Sequence, residues 1–200
     1  MENNPVDNSL LRGETVRLAA SNPETDSETI AAWSRDPELL RMFDTRPARH
    51  WTARGMTAIT LELQGENDQV NEYPFTIRRL ADDQLLGIAS LDVESWPRRD
   101  AWVAIAIGER ANWSKGYGSE AMRLLLRYAF AELSLRRVSL IVFGYNERAQ
   151  RSYLKVGFKV EGRQRERIRR DDQRYDMVFM SVLRDEWLEN GGARPGGTGA

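Results

Sequence analysis

Residues 101–133 read AWVAIAIGERANWSKGYGSEAMRLLLRYAFAEL. Ala101 to Gly108 is almost wholly apolar, the signature of a strand buried on both faces. One face carries Val103, Ile105 and Ile107; the other carries Ala104 and Ala106, which leave room beside the strand. A helix is expected from about Gly118 or Ser119. Its polar stripe is Glu120, Arg123, Arg127 and Ser134, and the remaining positions are mostly apolar. Such a helix keeps one wet edge and packs broadly on a sheet. Between strand and helix lies Trp113-Ser114-Lys115-Gly116-Tyr117-Gly118-Ser119. A helix N-terminus presents unpaired N–H donors and partial positive charge. Gly116 and Gly118 allow positive φ and close approach of a ligand to the backbone. A phosphate or pyrophosphate is the natural guest, with Lys115 adding a full charge. Two glycines also suit a plain strand-to-helix turn, and that reading stands beside the first. The spacing fits neither GxxxxGK[ST] nor GxGxxG, which disfavours an NTPase loop and a Rossmann dinucleotide site.

Arg137 to Tyr145 (RVSLIVFGY) is a second apolar, β-branched run. Strand, helix and strand at this length imply a right-handed crossover between parallel strands. Asn146 is a good N-cap and Gly157 a good stop, which defines a short helix. Asn146, Ala149, Tyr153 and Val156 fall on one face of it.

WSKGYGSEAMRLLLRYAF followed by RVSLIVFGYNERAQRSYLKVGF resembles the acetyl-CoA-binding core of the GNAT N-acetyltransferase superfamily. The branch it most resembles holds the ribosomal-protein N-terminal and spermidine acetyltransferases. The resemblance is most specific over about residues 101–160, and the element order extends it over about 12–188. It departs from the family's Q/R-x-x-G-x-G/A loop at Trp113, where Gln or Arg is usual. That loop binds mainly through backbone amides, so the departure weakens the match only slightly. The implied fold is a single mixed α/β domain. It has about seven mostly antiparallel strands, a central parallel β-α-β crossover and helices on both faces.

The 200 residues, 41% of them hydrophobic, suffice for one compact domain. Twenty-nine basic and 30 acidic residues give a net charge of −1, so bulk charge implies neither a nucleic acid nor a membrane surface. Without cysteine there is no disulfide, thiolate catalysis or Cys-ligated metal, and a reducing, cytoplasmic setting is expected. A single histidine, His50, excludes a His-cluster metal site. A solvated or locally bonded role is expected for it. No apolar run reaches the length of a membrane span, and Met1–Leu10 lacks a signal peptide's basic start and apolar core.

Residues 1–11 are expected to be a flexible N-terminus, 12–188 the domain, and 189–200 a disordered Gly-rich tail. Thr15 to Ala20 reads as a strand, and Pro23 to Ser34 with Asp36 to Phe43 as one or two helices. Phe43 to Thr52 is a connector bearing Arg46, Arg49, His50 and Trp51. Thr52 to Gln64 is a helix with Met56, Ile59 and Leu63 inward. Tyr73 to Leu80 and Gln84 to Val93 form a hairpin. After Phe158, a strand to about Arg169 turns into a last strand, Tyr175 to Leu183, with Trp187 pinning the end. Arg163, Arg165, Arg167 and Arg169 are expected on one face of that penultimate strand. They suit a solvated edge that discourages strand pairing, or a contact for RNA or a ribosome surface. The chain's neutrality argues against a dedicated nucleic-acid binder.

The resemblance implies acetyl transfer from acetyl-CoA to a primary amine, a protein N-terminus or a small molecule, within a ternary complex. The loop Trp113–Ser119 would hold the pyrophosphate, and the backbone of Ile105 and Ile107 the pantetheine arm. An N–H near Ile107 would polarise the thioester carbonyl. Asn146 would bond the arm, serve as a plain N-cap, or both. Tyr153 is the implied general acid; periodicity alone would make it a core aromatic. For the base, Glu109 at the strand end comes first, with Asp92 and Glu94 next. Each also suits an ordinary surface charge; such a carboxylate acting through water, or a simple pre-equilibrium, would supply the free amine. No covalent enzyme intermediate and no metal are expected. Two other readings stay open: an acyl-CoA-binding regulatory module without turnover, and a ribosome- or RNA-associated protein using the Arg163–Arg169 face. A homodimer is compatible with the sequence.

Overall fold

The computed structural model describes residues 10–43, 45, 50–63 and 71–191. β1 (Val16–Ala19), β2 (Glu72–Arg79), β3 (Leu85–Ser95), β4 (Asp100–Ile107), β5 (Arg137–Phe143), β6 (Lys159–Arg170) and β7 (Gln173–Leu183) make one sheet. Around it lie α1 (Pro23–Trp33), α2 (Pro37–Phe43), α3 (Ala53–Leu63), α4 (Tyr117–Arg127), α5 (Glu147–Val156) and α6 (Arg184–Glu189). The strand order is β1-β2-β3-β4-β5-β7-β6. Every neighbouring pair is antiparallel except β4 and β5, which α4 joins as the expected crossover.

Alternation along the strands separates two apolar layers. On one face Leu91, Val93, Val103, Val138, Leu140 and Val142 meet Ala121, Met122, Leu125, Leu126, Ala129 and Phe130. Burying each such leucine contributes roughly 1.5–3 kcal/mol, so this layer carries most of the fold. On the other face Ile30, Trp33, Leu39 and Leu85 form a smaller cluster, with Trp51, Met56, Ile88 and Trp113 against it. Trp33 presses on the end of β4: a Cβ at Gly108 would fall 2.1 Å from its ring carbons.

The pairing of β4 with β5 is short. It joins Asp100–Trp102 to Arg137–Ser139, and beyond those residues the strands part. Gly108 donates to Leu86 O across the β3 edge, and Ala106 O faces Gly87 on that edge. The alternation of a strand therefore turns the N–H and C=O of Val103, Ile105 and Ile107 toward the opening.

Several elements differ in detail from the sequence reading. α4 begins at Tyr117, because Gly116 at φ +91° already closes the turn before it. Its last turn widens over Tyr128–Glu132, where Leu133 N–H reaches Tyr128 O at 3.1 Å. β5 ends at Phe143, since Gly144 N–H turns to Asp176 O. The arginine face of β6 is interrupted: the register shifts between Gln164 and Ile168, and Glu166 takes φ +52°. Arg163 and Arg169 thus flank a bulge and do not form one unbroken stripe. His50 is locally bonded, its Nδ1 3.2 Å from Ser34 O. Trp187 is buried with its ring 5.4 Å from Phe130, as a pin for the last helix. The readings of Arg46, Arg49, the Ile59 and Leu63 side chains and most of both termini lie outside the described residues.

Glu120, on the wet edge of α4, carries a structural task. Its carboxylate accepts Thr15 N–H at 2.8 Å and the Thr15 hydroxyl, and lies 3.4 Å from Val16 N. β1 is thereby tied to α4, and a side chain at Gly13 would have to displace this carboxylate, because a Cβ would sit 2.1 Å from Glu120 Oε1. Burial pushes this carboxyl up, but the hydrogen bonds from Thr15 and Val16 outweigh it and hold its pKa below the ordinary glutamate value. A depressed folded-state pKa gives stability that is present above the unfolded value and is lost as the pH falls through the folded one. We expect Glu120→Ala to destabilise the fold by roughly 1–3 kcal/mol at neutral pH. That difference should shrink on acidification, as read by urea unfolding at neutral and acid pH.

Candidate active site

The opening between β4 and β5 widens into a cleft of about 760 Å³. One side is the turn into α4. Gly116 stands at φ +91°, and nothing lies within 4 Å of the place its Cβ would occupy. A side chain there would meet left-handed strain, roughly 1–2 kcal/mol, and would fill the space over the amides. Trp113, Ser114, Gly116, Tyr117, Gly118 and Ser119 all line the cleft. Ser114 also takes positive φ, +60°, as the loop doubles back. Ser119 Oγ is 2.7 Å from Ser152 Oγ, which joins the start of α4 to α5.

α5 forms the facing wall. Asn146 is buried, and its Oδ1 accepts Ala149 N–H at 3.2 Å, the N-cap that the sequence implied. The same side chain lines the cleft. Gly157 ends the helix at φ +106°. Arg148, Arg151 and Lys155 follow at helical spacing and all line the cleft. The sequence reading did not single out these three. Their spacing of three and four, opposite a glycine turn, was the available signal. Lys115, by contrast, is exposed and does not line the cleft.

Trp113 organises the meeting of the two walls. Its Nε1 donates to Ile107 O at 2.8 Å, at the end of the open β4 edge. The Arg148 guanidinium stacks 3.7 Å from its ring centroid. A desolvated cation on an indole contributes up to about 2 kcal/mol. Burial lowers the Arg148 pKa, partly offset by Glu38 and Tyr153. Arg110 braces the same region from outside, gripping Asp36 with Nε 2.6 Å from Oδ2. That hydrogen bond leads the effects holding the Asp36 carboxyl below its ordinary range.

Tyr153 lines the cleft and packs on Phe158, ring centroids 5.9 Å apart. Desolvation pushes its phenol up to about 12, against the opposing pull of the nearby Arg148 charge. It is therefore a protonated donor throughout the neutral range. Ile105 and Ile107 line the same space from β4. The suggested bases lie elsewhere. Glu109 is exposed and outside the lining. Glu94 accepts Trp102 Nε1–H at 3.1 Å and pairs with Arg98 at 3.6 Å. Asp92 is exposed and stands opposite Glu72 across the strand pair, where burial first and the Asp92 charge second raise the Glu72 pKa.

An open strand edge, a glycine turn facing cations and a half-buried phenol at their junction suit the peptide-like arm and the phosphates of a CoA thioester. The Acetyltransferase (GNAT) domain family matches residues 16–159. The chain belongs to the GNAT acetyltransferase family. It is 27% identical over 176 residues to "Probable N-acetyltransferase YjcK" of Bacillus subtilis, covering 87% of this chain and 97% of that one. It is 29% identical over 161 residues to "L-amino acid N-acetyltransferase AaaT" of Escherichia coli, covering 76% and 95%. The fold matches the spermidine N-acetyltransferase of Vibrio cholerae, solved with CoA and spermine, at a TM-score of 0.75 and 20% identity over 86% of this chain and 98% of that one. The GNAT chain described here is thus an N-acetyltransferase, of a family that uses acetyl-CoA as donor.

Gly116→Asp would put strain and a negative charge where phosphates are expected, and Arg148→Met would remove the stacked cation while keeping bulk. We expect acetyl-CoA affinity, by calorimetric titration, to fall at least 100-fold in the first and about tenfold in the second.

Proposed function

We propose that the cleft binds acetyl-CoA along β4 and transfers the acetyl group directly to the α-amine of an acceptor with an apolar side chain. The observation that carries the acceptor class is the composition of the cleft. Among the described residues its lining holds no aspartate or glutamate, while Leu39, Met42, Phe43, Trp102, Ile141 and Met177 line it. A polyamine acceptor calls for carboxylates, and the lining cations would repel it. An apolar substituent finds area to bury. The likeness to a protein named as an L-amino acid N-acetyltransferase agrees with this reading.

The residues divide the work as follows. Gly116, Tyr117, Gly118 and Ser119 offer amides to the pyrophosphate, with Trp113 and Ser114 shaping the loop. Arg148, Arg151 and Lys155 supply charge from α5, in place of Lys115. Ile105 and Ile107 pair with the pantetheine amides, and Ile107 N–H polarises the thioester carbonyl. Asn146 Nδ2 donates to the arm. Tyr153 donates its proton to the sulfur as the C–S bond breaks; because a phenol at about 12 is a weaker acid than a thiol at about 8.5, the step is coupled to loss of the proton released by the attacking nitrogen, which restores the phenol. Deprotonation of the ammonium falls to water rather than to Glu109, given Glu109's exposure. No helix among the described residues is long and apolar enough to cross a membrane. A cytoplasmic setting, where acetyl-CoA is available, forms part of the proposal.

Three measurements test this. In an amine panel at fixed acetyl-CoA, kcat/KM for L-phenylalaninamide and L-leucinamide should exceed that for spermidine at least tenfold; the reverse order would remove the apolar-acceptor assignment. Tyr153→Phe should lower kcat roughly 10²–10³-fold with acetyl-CoA binding kept. Because Tyr153 stays protonated up to about 12, the intact enzyme's rate should rise as the amine deprotonates. No falling limb from this phenol is expected between about pH 6 and 10.

A further inference from the structure

The end of the sheet opposite the cleft holds a second concavity, of about 420 Å³, lined by Arg98, Arg99, Arg136, Arg137, Arg184, Leu183 and Asp185. Five arginines and one carboxylate converge there from three separate segments: the β3–β4 turn, the start of β5, and the junction of β7 with α6. Their spacing is set by backbone. Arg136 N–H donates to Arg99 O at 2.7 Å, Arg137 N–H reaches the same carbonyl at 3.3 Å, and Arg184 N–H donates to Arg136 O at 2.9 Å. Arg99 is held at φ +57°, an unfavourable conformation for a non-glycine residue.

The five guanidiniums are not equivalent. Arg98 is braced by Asp100 at 2.8 Å and Glu94 at 3.6 Å. Arg137 bonds Ser139 Oγ at 3.2 Å and pairs with Glu161. Arg99, Arg136 and Arg184 have no carboxylate partner among the described residues. Three uncompensated cations are thus held together, with Asp185 as the one carboxylate in the wall. Guanidinium forks match phosphate oxygens in geometry and charge.

We propose that this concavity binds a compact oligophosphate, such as the di- or triphosphate group of a nucleotide or an inorganic polyphosphate. The chain's net charge of −1 and the interrupted arginine run on β6 favour a small anion at one site over an extended polyanion. Arg99 lies three residues, about 10 Å, before Trp102, where the cleft lining begins, and about 20–25 Å from the glycine-turn end at Ile107, at roughly 3.3 Å per residue; the two linings share no residue.

The test is calorimetric titration with sodium tripolyphosphate, paired with thermal unfolding. Intact protein should bind one ion per chain, with a raised melting temperature and weaker affinity at high salt. Arg136→Gln and Arg184→Gln should each weaken binding at least tenfold. Arg163→Gln on β6 and Gly116→Asp in the cleft should leave it unchanged. Circular dichroism checks each fold, and either arginine variant alone decides if the other misfolds. Absence of binding to intact protein overturns the proposal. So does loss in Gly116→Asp with retention in the arginine variants, which would put the ion in the cleft. Tighter binding of a single-stranded RNA oligonucleotide that depends on Arg163 also overturns it. Because Gly116→Asp lacks the cleft function and keeps this one, the two assignments fail separately.

Discussion

The parting of β4 and β5 after three paired residues is the constraint on which the site depends. A parallel pair that continued would satisfy its own backbone and leave nothing to recognise. Here the edge carrying Ile105 and Ile107 faces open space, while β5 is held on its other edge by β7 from Arg137 to Phe143. The divergence is maintained from both ends. Trp113 caps Ile107 O, and the Tyr145 hydroxyl, just past the end of β5, donates to Arg41 O on α2. The cleft is therefore a consequence of strand geometry. Loops decorate it without having to form it, which suits a site that must hold an extended arm at fixed register.

The two ends of that space differ in chemistry because different elements line them. At the α4–α5 end, the amides at Gly116 and the cations Arg148, Arg151 and Lys155 face one another. At the α2 end the lining is Leu39, Met42, Phe43 and Met177. Tyr153 and Arg148 lie between, close enough for each to perturb the other's proton affinity. A phenol held at a pKa of about 12 keeps its proton until a strong acceptor develops beside it, and the adjacent cation limits how far that pKa rises. Acid strength and cofactor charge are thereby set by the same pair of neighbours.

Much of the fold was legible because it rests on local signals. The apolar run to Gly108, the helical period after Gly116 and the β-branched run from Arg137 define strand, helix and strand without long-range information. Asn146 and Gly157 bracket α5 by capping chemistry, and the structure has both in those roles. What stayed hidden depends on contacts between distant segments. Nothing local in Glu109 says that it stands outside the cleft lining, and nothing local in Arg148 says that it stacks on Trp113. The bulge at Glu166 breaks an alternation that the bare sequence of β6 presents as continuous. The arginine concavity is invisible for the same reason: Arg99, Arg136 and Arg184 are far apart in the chain and meet only through the sheet.

Trp113 shows how a departure from a family pattern can be absorbed. A Gln or Arg at that place would extend the loop's own polar reach, whereas an indole offers one N–H and an apolar face. The N–H is used on Ile107 O, and the face is used by Arg148. Positive charge thus reaches the loop across the cleft from α5 instead of along the chain. This has an energetic corollary. Removing the ring leaves Arg148 without its platform, and removing the guanidinium leaves a half-buried indole facing the cleft, so the two losses do not add as independent contributions. The motif that identifies the loop is therefore distributed over two helices, and its cationic member is held by packing on an aromatic ring rather than by sequence proximity.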